Sequence, residues 1–189
     1  GMLSTDYIIK PLKKLLKQKT GNEDITFSQL QAIGGFKKLY VVATDLSTTS
    51  SLTFSHENKE LDISIAKAVS ASNALPIAYM SVDLEIKGKN HVLVDGGVMR
   101  NFPIEEFDLK EQCAKGAIER ADAPGKFINP ATMGFFSDST DPTKRQPLDQ
   151  RSYTNINGMF SFIKSIPSAM FEVQTNMLLN NEPDVQRSV

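Results

Sequence analysis

The stretch Val94-Asp95-Gly96-Gly97-Val98-Met99, followed by Asn101-Phe102-Pro103, holds the residues of this chain best suited to chemistry. Side chains alternate along a strand, so His91, Leu93 and Asp95 share one face and Val92 and Val94 the other. The two glycines allow positive φ and close backbone approach. The chain can then turn sharply and leave a carboxylate at a strand end, where sites gather in open α/β sheets. A carboxylate held there can take the proton of a nucleophilic hydroxyl if its surroundings raise its pKa. Asp-Gly-Gly is also an ordinary turn in which the aspartate bonds its own backbone, so the tripeptide alone does not separate the two readings.

The other reactive side chains read as structural. His91 lies two positions before Leu93, about 13 Å from Asp95 along a regular strand, and reads as a hairpin or surface histidine. His56 falls in a loop among Ser55, Glu57 and Asn58. Two histidines so far apart, with no Cys/His spacing, give no zinc pattern. Ser70 and Ser72 sit late in a helix without flanking glycines, where packing or helix-end roles fit. Asp45 reads as a strand-end turn residue, and Cys113 has no activating cation cluster. No serine sits in Gly-x-Ser-x-Gly, because no two of the eleven glycines lie four residues apart.

The length fits one domain or most of one. With 40% hydrophobic and 23% charged residues, the composition is that of a packed soluble protein. The net charge of −1 predicts no general attraction to nucleic acid or anionic lipid. The one cysteine can form no internal disulfide, which fits a reducing compartment. No apolar run approaches the ~20 residues that span a bilayer. Lys13, Lys14, Lys17 and Lys19 break the only leucine-rich stretch, so no signal peptide is expected. Gly1-Met2 reads as a tag scar or as internal sequence.

Residues 6–19 predict an amphipathic helix with Ile8, Leu12, Leu15 and Leu16 on one face and Pro11 near its start. Thr26-Phe27-Ser28-Gln29 has capping-box spacing and begins a short helix that Gly34-Gly35 ends. Leu39–Thr44 suits a strand buried on both faces of a parallel or mixed sheet. Residues 62–72 return to helical period, with Asp62 as N-cap and Pro76 beyond the end. Strands at 78–86 and 91–95 flank Lys87-Gly88-Lys89-Asn90 as a hairpin. A further strand is expected at 131–137, a loop at 138–151, and a helix at 158–180 interrupted at Pro167. The stripe Met159, Phe160, Ile163, Ile166, Met170 and Phe171 of that helix predicts packing on a core, with a lid or membrane-docking element as the alternative. Helices alternating with strands, plus the hairpin, predict an α/β layered fold.

Three spaced segments carry a resemblance. They are Ala43-Thr44-Asp45-Leu46, Ala68-Val69-Ser70-Ala71-Ser72-Asn73-Ala74-Leu75-Pro76, and Val94-Asp95-Gly96-Gly97 with Asn101-Phe102-Pro103. In that order they resemble the patatin-like phospholipase family over residues 3–107. The resemblance implies an α/β layered fold, a central mixed sheet flanked by helices. It implies one domain portion over residues 1–189, with 108–189 as a family-variable region. It implies hydrolysis of a lipid acyl ester by a Ser-Asp dyad, with Asp95 as the general base, Gly96, Gly97 and Asn101 as turn and site support, and no metal or cofactor. The implied partners are a lipid or phospholipid ester, a transient membrane surface and, for an effector, a protein activator; nucleic acid is not among them. The implied location is the cytoplasm, or outside the cell for a secreted effector. The family's nucleophile serine and its oxyanion glycines stand upstream of the matched region, and Leu3 to Leu16 resembles the helix that follows the nucleophile helix. The chain therefore reads as the C-terminal portion of a patatin-like domain, inactive on esters by itself. The alternative is a degenerate patatin-like fold that binds lipid or a partner.

Overall fold

The computed structural model describes residues 3–108, 116–120, 124–135, 156, 158, 159, 161–163, 165, 166, 169 and 170. The chain divides into two compact units, Gly1–Asn101 and Phe102–Val189.

In the first unit, helix α1 (Asp6–Thr20) runs unbroken through Pro11 and ends at Gly21, whose φ of 80° suits a glycine cap. Its N–H returns to Lys17 O at 2.9 Å. Helix α2 (Phe27–Ile33) carries the expected capping box, with Thr26 and Gln29 each bonding the other's backbone N–H. Asp62, expected to cap the next helix, instead accepts from Thr26 Oγ1 at 3.1 Å and Ser28 N at 3.0 Å. It serves the N-terminus of α2, where a carboxylate meets free N–H groups. Helix α3 (Ile65–Ser72) is capped by Ser64, whose hydroxyl accepts from Lys67 N.

Four strands form the sheet: β1 (Val41–Asp45), β2 (Ser50–Phe54), β3 (Val82–Ile86) and β4 (Lys89–Asp95). Their order is β2-β1-β4-β3. The α/β layered class is as expected, but every pairing in this sheet is antiparallel where a parallel or mixed sheet was expected. Short connections explain two of the three pairings, β1 with β2 and β3 with β4. β1 reaches β2 through only Leu46–Thr49, and β3 reaches β4 through Lys87-Gly88, both residues at positive φ. Loops that short can join only antiparallel neighbours. The hairpin is therefore the one expected, though residues 78–81 precede β3 as turns instead of belonging to it. The sequence reading did not place β2, whose Ser-Ser-Leu-Thr-Phe is half polar.

All of β1 is buried, as its apolar run predicted. Val41 and Ala43 join Phe54, Leu84 and Leu93 in a core completed by Ile65, Ala68 and Ala71 of α3 and by Ile25, Phe27 and Leu61. On the opposite face, Thr44 and its register partner Ser51 bury hydroxyls that have no hydrogen-bond partner among the described residues. The sheet, α3 and α1 make successive layers, and no residue of α1 is fully buried.

The second unit holds a short turn at Ile104–Phe107 and a two-stranded pairing of β5 (Ile118–Glu119) with β6 (Phe127–Ile128). Of the strand expected at 131–137, the described residues 131–135 form none. There Asn129 turns the chain, its side chain accepting from Ala131 N and its carbonyl from Thr132 N. Positions 136 and 137, the loop at 138–151, Cys113, Phe160, Pro167 and Phe171 lie outside the described residues. Of the helix expected at 158–180, residues 159, 161–163, 165, 166, 169 and 170 are helical. Met159, Ile163 and Ile166 are exposed there, against the expected packing on a core. No described helix is long and apolar enough to cross a membrane.

Candidate functional site

Asp95 closes β4 opposite Ala43 of β1. Its N–H donates to Ala74 O at 3.0 Å, which ties the strand end to the segment leaving α3. Gly96–Val98 then makes one tight helical turn, and the N–H groups of Met99 and Arg100 both donate to Gly96 O. The reason for glycine at position 96 is space rather than positive φ. A Cβ there would overlap the carbonyl oxygen of Val42 and lie 2.8 Å from its carbonyl carbon. Close backbone approach thus lets the strand end fold over β1.

The carboxylate is half-buried. Oδ1 accepts from Gly97 N at 2.7 Å, and Oδ2 accepts no hydrogen bond among the described residues. Burial pushes the Asp95 carboxyl above the ordinary carboxylate range, and the Gly97 N–H offsets this only in part. A carboxylate with one oxygen anchored, the other open and a raised proton affinity is suited to accepting a proton from a hydroxyl brought within reach. Asn101 lies six residues further on, half-buried at the end of the first unit.

The structure also joins two residues that the sequence reading treated apart. Asp45 is 1% exposed, and its Oδ2 lies 2.7 Å from His91 Nδ1. Its carboxylate also accepts from Thr48 Oγ1 at 2.5 Å and Ser47 N at 2.9 Å. Burial acts to raise the Asp45 pKa, but the Thr48 hydroxyl, the His91 ring and the Ser47 N–H outweigh it and hold the carboxyl below the ordinary range. Asp45 is thus the turn residue expected, and also a lock between β1 and β4. The signal was half present, since alternation sets His91 on the face of Asp95. The register that sets Asp45 opposite Leu93 could not be read locally.

Replacing Asp45 with alanine strands the His91 ring and two donors, and is expected to cost about 3 kcal/mol, read as a lower urea midpoint. The folded pKa of Asp45 is depressed, so its contribution is present above the ordinary aspartate value near 4 and is lost as pH falls through the depressed value. The difference between wild type and Asp45→Ala should therefore narrow in acid. Among the described residues, no group of three or more His, Cys, Asp or Glu could hold a metal ion.

An α/β layered unit with a half-buried carboxylate at a strand end is the class that this fold and site define. The patatin-like phospholipase family model matches residues 1–108, more than half of the chain, and the chain belongs to that family. It is similar to an uncharacterized protein of Acanthamoeba polyphaga mimivirus, 31% identical over 108 residues, covering 57% of this chain and 33% of that protein. It is also similar to a protein of Invertebrate iridescent virus 6 named as a probable lipid hydrolase, 30% identical over 105 residues, covering 56% of this chain and 34% of that protein. The match thus spans about a third of the length of these relatives. No solved structure matches the chain.

Proposed function

We propose that these residues belong to a lipid acyl hydrolase of phospholipase or esterase type, in which Asp95 is the general base of a Ser-Asp dyad whose serine lies outside the 189 residues. The observation that carries this reading is the state of Asp95: half-buried, anchored by one oxygen and raised in pKa at the end of β4, just after its buried Leu93 and Val94. Family membership and the viral relative's name support the lipid ester as substrate. The base would accept the serine proton as Oγ attacks the ester carbonyl, and the proton would then pass to the leaving alcohol. Gly96 and Gly97 hold the turn, and Asn101 is assigned to its support.

A fluorophosphonate probe, which labels an activated serine, tests the dyad in the whole protein. Labelling of one serine that disappears in the Asp95→Asn variant is expected. A protein that takes no label would instead favour a degenerate fold that binds lipid or a partner.

A further inference from the structure

Among the described residues, Thr49, Ile77 and Lys87 have positive φ without being glycine. Thr49 and Lys87 lie in the connections from β1 to β2 and from β3 to β4, where short hairpin loops demand such backbone. Ile77 lies in neither. It follows Pro76 in the turn Leu75-Pro76-Ile77-Ala78, which Ala78 N closes by donating to Leu75 O at 3.2 Å. Proline at the second position and a φ of 74° at the third are the pattern of a type II turn, whose third position ordinarily holds glycine or asparagine. A β-branched side chain fits that backbone poorly. Isoleucine would relax to negative φ in a type I turn, with the Pro76–Ile77 peptide rotated.

Bonds on both sides of the turn oppose that relaxation. Before it, Ala74 O accepts from Asp95 N at 3.0 Å, and within it Leu75 O also accepts from Tyr79 N at 2.9 Å. Beyond it, Ala78 O accepts from Leu3 N at 2.8 Å, and Met80 N donates to Leu3 O at 3.0 Å. Strain of this kind persists only where the surroundings over-determine it, and it gathers at functional sites. We propose that Ile77 is a positioning residue for Asp95. Its branched side chain, half-buried in the strained turn, restricts the segment from Ala74 to Ala78 and so holds Ala74 O on the Asp95 N–H. This inference rests on the reading of Asp95 as the base. Glycine at position 77 would adopt the same φ at no steric cost, yet would leave the turn free to sample other conformations. Ile77 acts through the backbone at the strand end, and a shift of about 1 Å in a catalytic group can cost roughly 10²-fold in rate.

Amide hydrogen exchange and kinetics of Ile77→Gly in the whole protein test the inference. The Asp95 amide is expected to exchange at least about 10-fold faster than in wild type, while the Ala68 amide, which donates to Ser64 O in α3, keeps its wild-type rate. The kcat for ester hydrolysis should fall by roughly 10–100-fold with KM little changed. Ile77→Val keeps the branch at Cβ and should restore wild-type exchange and kcat. The urea midpoint of Ile77→Gly should stay close to that of wild type, since relief of the left-handed strain offsets the lost side-chain burial. Unchanged exchange at Asp95 would overturn the proposal. So would equal acceleration at Asp95 and Ala68, which marks a general loosening of the fold. Asp95→Asn separates this proposal from the reading beneath it. If that variant keeps hydrolysing lipid, the base assignment fails, and exchange at Asp95 in Ile77→Gly still decides whether the turn holds the strand end.

Discussion

Asp95→Asn in the whole protein is expected to lower kcat for ester hydrolysis by at least about 10³-fold while making the fold more stable at neutral pH. The loss of rate follows from the role proposed for the carboxylate. General-base catalysis contributes roughly 10²–10⁴-fold, and in a two-residue dyad no third group takes over the proton. Asparagine is nearly the same shape and can still accept from Gly97 N, so KM should change little. The gain in stability has a separate cause. Burial raises the folded pKa of Asp95, so ionising it opposes folding. The wild-type fold is therefore least penalised below the ordinary aspartate value near 4, and loses stability as pH rises through the raised value. Urea midpoints of the two proteins should converge in mild acid and separate toward pH 7, with the variant higher. Equal midpoints across that range would mean that burial does not set the state of Asp95. Retained hydrolysis would remove it from the mechanism.

Gly96→Ala is expected to cost roughly 3 kcal/mol, a fall in Tm of about 6–12 °C, with loss of any activity that depends on Asp95. The added methyl would meet the carbonyl of Val42, and backbone cannot step aside as a side chain does. β1 is hydrogen-bonded on both sides, to β2 from Val41 to Asp45 and to β4 from Ala43 to Asp45. Relief would need either a shift of the central strand or an outward movement of the Gly96–Val98 turn. The second would draw Gly97 N from Asp95 Oδ1 and release the carboxylate. Gly88→Ala is the informative contrast, because nothing lies within 4 Å of a Cβ there. It strains only a positive φ, at about 1 kcal/mol. Similar losses for the two variants would show that close approach is not what position 96 requires.

Both predictions concern a site whose turn was legible in the sequence and whose setting was not. The capping box Thr26–Gln29, the Lys87-Gly88 hairpin and the placing of Asp95 at a strand end were all readable, since each depends on residues within a few positions of one another. The spaced segments around Ala43, Ala68 and Asp95 were enough to indicate the family. Asp62 was misread as the cap of the following helix because its partners, Thr26 and Ser28, lie more than thirty residues away. β2 was missed because its polar residues gave no apolar run, and only pairing with β1 makes it a strand. The glycines were expected for positive φ and close backbone approach; at 96 only the close approach applies, and the backbone it meets belongs to a strand more than fifty positions earlier.

By itself, the sequence determined most of the helices, the hairpin, the family and the carboxylate with its glycine turn. Capping, tight turns and alternation are short-range effects, and they are written in neighbouring residues. Only the tertiary structure decided the antiparallel order of the sheet, the lock between Asp45 and His91, the crowding at Gly96 and the burial that raises the proton affinity of Asp95. Each of those depends on which distant strand lies alongside, and that is set by the packing of the whole core.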